Sequence, residues 1–87
     1  MLRSMPRWAC ACCGYLTLSE DPAVGTYEIC PVCFWEQDSV QEADPDYRGG
    51  ANAPSLNDAR ANYARIGASQ SRLLPHVRAP LPDELPS

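Results

Sequence analysis

"CACCG" (residues 10–14) and "CPVC" (residues 30–33) hold all five cysteines of the chain. Four of them fall into a pattern: Cys10-x-x-Cys13, sixteen residues, Cys30-x-x-Cys33. Two residues between thiols let one tight turn aim both sulfurs at a single ion, and two such turns complete a tetrahedron. The sixteen-residue separation suits a strand, a loop and a strand that bring the second turn opposite the first. Gly14 allows the backbone to turn its amides toward sulfur, and Pro31 pre-sets the second turn.

This spacing is that of a four-cysteine zinc ribbon, with knuckles like those of rubredoxins. It assigns Cys10, Cys13, Cys30 and Cys33 as metal ligands. Zinc is the expected ion, and a single iron in the same sulfur tetrahedron is the alternative. Four thiolates leave no open coordination position, so the role expected is structural. Structural zinc contributes about 10–16 kcal/mol in small peptides, and without it the first 36 residues are expected to be disordered. Cys12 is left over. It is either a redox-sensitive thiol beside the cage or a spacer residue of the knuckle. No Lys, Arg or His flanks it in sequence to favour a thiolate, so the spacer reading is preferred.

Composition agrees with a small metal-stabilised domain. The chain has 87 residues, 45% hydrophobic and 21% charged, with two Trp, four Tyr and one Phe to pack. A core of that size is a marginal source of stability. No apolar run is long enough to span a bilayer, and "MLRSMPRWAC" lacks the apolar segment of a secretory leader. A cytoplasmic location is expected, where thiols stay reduced and paired CxxC turns bind metal.

The net charge of −4 conceals a division. From Trp8 to Tyr47 there is no Lys or Arg, and eight of the eleven acids lie there: Glu20, Asp21, Glu28, Glu36, Asp38, Glu42, Asp44 and Asp46. From Arg48 to Arg78 five arginines face Asp58 alone. An acidic metal-binding half repels phosphate, which argues against nucleic acid as a partner. The segment around Glu36, Asp38, Glu42, Asp44, Asp46, Tyr47 and Arg48 is the candidate interaction surface, with a protein as the expected partner. No group of residues meets the requirements for catalysis: the one histidine, His76, stands alone, and the acids match no calcium loop.

"GYLTL" (14–18) and "TYEIC" (26–30) alternate as half-buried strands do, and "FWE" (34–36) reads as a third. Residues 37–54 form a long acidic connector. Its "DYRGGAN" (46–52) is expected to pack onto the ribbon, with Arg48 neutralising the acidic half. "SLNDARANYARIG" (55–67) is a helix: Ser55 caps it, Leu56, Ala59, Tyr63 and Ile66 line one face, and Gly67 ends it. A second short helix is expected over 69–77, capped by Ser69 and ended by Pro75. Residues 1–77 would then form one domain. Residues 78–87, with three prolines in ten, would be a flexible tail.

"CACCGYLTL", "YEICPVCFWEQD", "DPDYRGGAN" and "SLNDARANYARIG" together resemble the cysteine-rich CPCC family of small, mostly bacterial proteins. The resemblance implies a zinc-binding module with a helical appendix and assigns no activity. Ala11 stands where the family's name has proline, which is expected to loosen the first knuckle. The reading is a small α+β domain: a zinc ribbon of short antiparallel strands followed by one or two helices. Its expected role is that of a non-catalytic, acidic interaction module or adaptor, of the kind inhibitors and immunity proteins represent. A redox sensor built on Cys12 is the second reading. Nucleic-acid binding through Arg60, Arg65, Arg72 and Arg78 is the third.

Overall fold

Both cysteine pairs close the same turn. In the computed structural model, which describes residues 7–86, the Cys10 amide donates to the Tyr15 carbonyl and the Gly14 amide to the Cys10 carbonyl, both at 2.9 Å. Twenty residues on, the Cys30 amide donates to Trp35 O (3.0 Å) and the Phe34 amide to Cys30 O (2.8 Å). The residue after each second cysteine is left-handed, Gly14 at φ +82° and Phe34 at φ +67°. The two knuckles are therefore one motif used twice.

The expected strands do not form. Among the described residues there are only two isolated antiparallel bridges, Trp8–Leu18 and Ile29–Glu36, one beside each knuckle. In the first, pairing Cys10 with Tyr15 would place Trp8 opposite Thr17. Thr17 instead turns back to donate to Tyr15 O, and the slack residue moves the bridge to Leu18. In the second, Tyr27 at φ +59° breaks the run that leads into Ile29. On the returning side the Glu36 amide is taken by Asn52 Oδ1 at 2.9 Å. Alternating side chains are present, but no neighbouring backbone stays alongside long enough to make a ladder.

The loop between the knuckles holds a short 3-10 turn, Pro22–Val24, capped by the Asp21 side chain and closed by Gly25 at φ +67°. The acidic connector is not structureless. It contains helix α1 (Ser39–Ala43), whose N-terminus is capped by Asp38. The rest wraps around one side chain, the fully buried Gln41. Its Nε2 donates to the carbonyls of Tyr47 (3.1 Å), Asn52 (3.2 Å) and Pro54 (3.0 Å). Its Oε1 accepts from the backbone and side-chain nitrogens of Asn52. Gly50 passes so close that an added Cβ would lie 2.6 Å from Asp38 Oδ2 and 2.9 Å from Gln41. The loop packs on α1, and Arg48 pairs with Asp58 at 2.7 Å rather than with the acidic half.

Helix α2 (Leu56–Ile66) forms as its caps predict. Ser55 Oγ accepts from the Asp58 amide, and Gly67 at φ +83° returns its N–H to Tyr63 O. Leu56 and Ala59 are buried in the one core, with Leu18, Val32, Trp35 and the cysteines, and Tyr63 packs on its edge. Tyr63 meets Tyr15 edge-on, centroids 6.4 Å apart. Ile66, expected on the same face, is half-exposed. The second helix is a 3-10 helix, Ser71–His76, with Pro75 inside it and Gln70 at its start. Ser69 does not cap it. Ser69 is fully buried behind the second knuckle, its amide bonded to Cys33 O at 2.8 Å.

The proline-rich end returns to the body, in contrast to the expected flexible tail beyond Val77. Arg78 donates its amide to Pro31 O, and a 3-10 turn over Pro82–Glu84 brings Glu84 against the first knuckle, where its carbonyl accepts from the Leu16 amide at 2.7 Å. The Glu84 side chain is 2% exposed. It takes both arms of Arg78 at 2.8 Å, the Leu81 amide at 2.8 Å and Arg7 at 3.5 Å. These partners hold its carboxyl down to about 2, against an ordinary value of 4.5, the Arg78 guanidinium contributing most.

A carboxyl with a lowered native pKa stabilises the fold above its unfolded value and loses that contribution as pH falls toward the native one. Glu84 should thus contribute about 3 kcal/mol at neutral pH, disappearing between about pH 4.5 and pH 2. Denaturant unfolding of Glu84→Gln should show that deficit at pH 7. The gap from the parent protein should narrow in acid; a gap independent of pH would contradict the assignment.

Candidate metal centre

The repeated knuckle places four sulfurs in one small volume. The Sγ atoms of Cys10, Cys13, Cys30 and Cys33 all lie within 4.8 Å of one another. Cys10 Sγ and Cys33 Sγ are 3.6 Å apart, and Cys13 Sγ and Cys30 Sγ 3.7 Å. A disulfide needs roughly 2.05 Å, so these are free thiols. A tetrahedron with metal–sulfur bonds of about 2.3 Å has edges of roughly 3.8 Å. The donor set and its spacing fit one tetrahedral ion of the zinc kind.

The electrostatics of the thiols point the same way. Hydrogen bonds from Cys10, then Cys13 and Cys33, hold the Cys30 thiol far below its usual range, with Thr17 adding to them. Its neighbour Cys10 is also lowered, chiefly by Cys13. Cys13 and Cys33 are pushed up, chiefly by their bonds to Cys10 and further by burial. Without an ion between them, four sulfurs this close repel one another as thiolates. Only a cation at the centre lets all four ionise together, and its binding would release the thiol protons.

Outside the cage, several donors reach the sulfurs. Gln37, fully buried and just beyond the second knuckle, extends Nε2 to Cys10 Sγ (3.3 Å) and to Trp35 O (3.3 Å), while its Oε1 accepts from the Ala11 amide (3.4 Å). One carboxamide thus ties the knuckles together. Proline at position 11 would lack that N–H, so the substitution expected to loosen the turn also supplies a cross-link. Arg60 Nε adds a bond to Ala11 O at 3.0 Å. Thr17 Oγ1 lies 3.0 Å from Cys30 Sγ. Neither Gln37 nor Thr17 is marked by the cysteine spacing. Phe34 is equally unmarked; its left-handed backbone is backed by stacking on His76, centroids 5.2 Å apart.

Cys12 is 9% exposed and belongs to the core. The proposed acidic surface divides. Asp38 is 5% exposed and accepts from the amides of Val40 (2.8 Å), Gln41 (3.3 Å) and Ala51 (2.8 Å). Burial pushes its carboxyl up, but the three amides together outweigh burial and hold it low. Glu42 is half-buried, raised by that burial, and accepts from Trp35 Nε1 and the Asp38 amide. Glu36 is half-buried as well. Asp44, Asp46, Tyr47 and Arg48 face outward. Of the arginines considered for nucleic acid, Arg78 is spent on Glu84 and Arg60 on Ala11 O, while Arg65 and Arg72 bond Asn62 and Gln70. Among the described residues no helix is long and apolar enough to cross a membrane.

The order of these features, two CxxC knuckles, a glycine-rich loop and a capped helix, is matched over residues 8–84 by the family model described as "Cysteine-rich CPCC". The chain belongs to the cysteine-rich CPCC family. Among curated proteins no match is found. The family match ends at Glu84, the residue that closes the C-terminal segment onto the first knuckle. The segment from Arg78 to Glu84 is thus part of the CPCC unit, as its contacts imply.

Two glycines separate backbone strain from steric clash. A Cβ at Gly14 would meet nothing within 4 Å, so Gly14→Ala should cost only the left-handed backbone, about 1–2 kcal/mol. Gly50→Ala must displace Asp38 or Gln41 and should cost more than Gly14→Ala. Denaturant unfolding of the two metal-loaded variants checks the order.

Proposed function

We propose that this CPCC-family chain is a non-catalytic, zinc-stabilised protein-interaction module. The observation that carries the metal part is the sulfur tetrahedron, with edges of 3.6 and 3.7 Å and three corners buried. When bound, zinc supplies a double positive charge that satisfies four thiolates and offers no open position for substrate. Cys10 and Cys13 hold it from one knuckle, Cys30 and Cys33 from the other. Gln37 positions the first knuckle against the second. Because the helix docks on the same core as the cysteines, metal, knuckles and helix form one cooperative unit.

The interaction part is supported by charge. The metal-binding half carries no Lys or Arg between Trp8 and Tyr47. Of the connector's acids, Asp38 turns inward and Glu42 is half-buried, while Asp44 and Asp46 stay on the surface beside the exposed Tyr47. A basic protein surface is the partner that this chemistry favours.

Native mass spectrometry of the purified protein should give one zinc per chain. A strong chelator should remove it and abolish most of the helical circular dichroism signal. Iron in place of zinc would remove the metal assignment, and full retention of helix without metal would remove the single cooperative unit. For the partner, Asp44→Lys with Asp46→Lys should leave the unfolding midpoint nearly unchanged while abolishing salt-sensitive capture of a basic protein. Equal capture by parent and variant would exclude this face.

A further inference from the structure

The cage is not symmetric. Cys10 Sγ accepts from Gln37 Nε2 at 3.3 Å and from the Cys12 amide at 3.4 Å. Cys33 Sγ accepts from the Trp35 amide at 3.4 Å, and Cys30 Sγ has Thr17 Oγ1 at 3.0 Å. These three residues are 2%, 0% and 0% exposed. Cys13 is the exception on both counts. It is partly exposed, and among the described residues its sulfur has only other cage sulfurs, Cys30 Sγ at 3.7 Å among them, as hydrogen-bonding neighbours. A donor on a thiolate draws charge from the lone pair that attacks an electrophile, and burial blocks the approach. Cys13 has neither a donor nor full burial.

We infer that Cys13 is the reactive edge of the cage, the sulfur that a soft carbon electrophile alkylates first in the metal-loaded protein. This rests on the metal reading above. The Cys13 lone pair forms a carbon–sulfur bond while the leaving group departs with its bonding pair, as iodide does from iodoacetamide. Nothing is oxidised or reduced. The thiolate becomes a neutral thioether, so the cage loses one of four anionic donors and its hold on the ion weakens. Alkylation at one atom thereby reaches the stability of the whole domain. Cys12 is the competing thiol, but it lies in the core beneath the knuckle.

The test treats metal-loaded protein with one equivalent of iodoacetamide and follows labelling by peptide mass mapping, with bound metal measured on the same samples. The first label should appear on Cys13, at least about tenfold faster than on any other cysteine, the effect of roughly one hydrogen bond to a charged sulfur. Metal loss should follow it. First labelling of Cys12, or even labelling of the four ligands while metal is bound, would overturn the inference. Protein that carries no metal as purified and labels at every thiol would overturn the metal reading, and the inference with it. Cys13→Ser should lose the fast phase. Cys12→Ala leaves all four ligands in place and should keep it; loss of the fast phase there would identify Cys12 as the reactive thiol.

Discussion

Four sulfurs held within 4.8 Å of each other are the constraint on which the rest of this molecule depends. As thiols they share protons unequally, and as thiolates they repel at short range in a poorly solvated place. A doubly charged ion at the centre would convert that repulsion into attraction. The apolar core is built on the same residues: Trp35 follows the last cysteine by two positions, and Leu18, Val32, Leu56 and Ala59 close around the sulfurs. A chain of 87 residues has little other core to draw on.

The parts legible in the sequence follow local rules. The CxxC spacing named the four sulfurs that come together, and Ser55 with Gly67 bounded the long helix, because a turn and a cap are decided by residues a few positions apart. The strands misled for the converse reason. Alternation in "GYLTL" and "TYEIC" describes which way side chains point but not whether a partner backbone stays alongside, and Thr17 and Tyr27 end that partnership. The sign of the acidic connector was readable and its direction was not. "DSVQ" (38–41) carries a legible helix-start signal, an aspartate followed three residues later by glutamine, and it is Asp38 and Gln41 that turn inward. The C-terminal prolines suggested freedom, yet Pro82 followed by two acids is itself the start of a helical turn. What no local rule could supply is that Arg78 and Glu84 would face each other across that turn.

Buried polar groups carry much of what the missing strands would have carried. Gln37 joins the two knuckles, Gln41 gathers three carbonyls of the connector, and Asn52 takes the amide and carbonyl of Glu36. Each is a side-chain amide that both donates and accepts, so it can stand in for a short piece of sheet where the backbone is too irregular to pair with itself. The cost is intolerance: replacing any one of them strands several buried partners at once.

The bond from Arg7 to Glu84 joins residues 77 apart in sequence, whereas each knuckle closes over a handful. Loop-closure entropy makes so distant a contact slow to find in an open chain, while the knuckles can form almost where they stand. Drawing the two knuckles together shortens the path between residues 7 and 84 before they meet. Loop-closure entropy therefore favours gathering the knuckles before the contact between residues 7 and 84 is made.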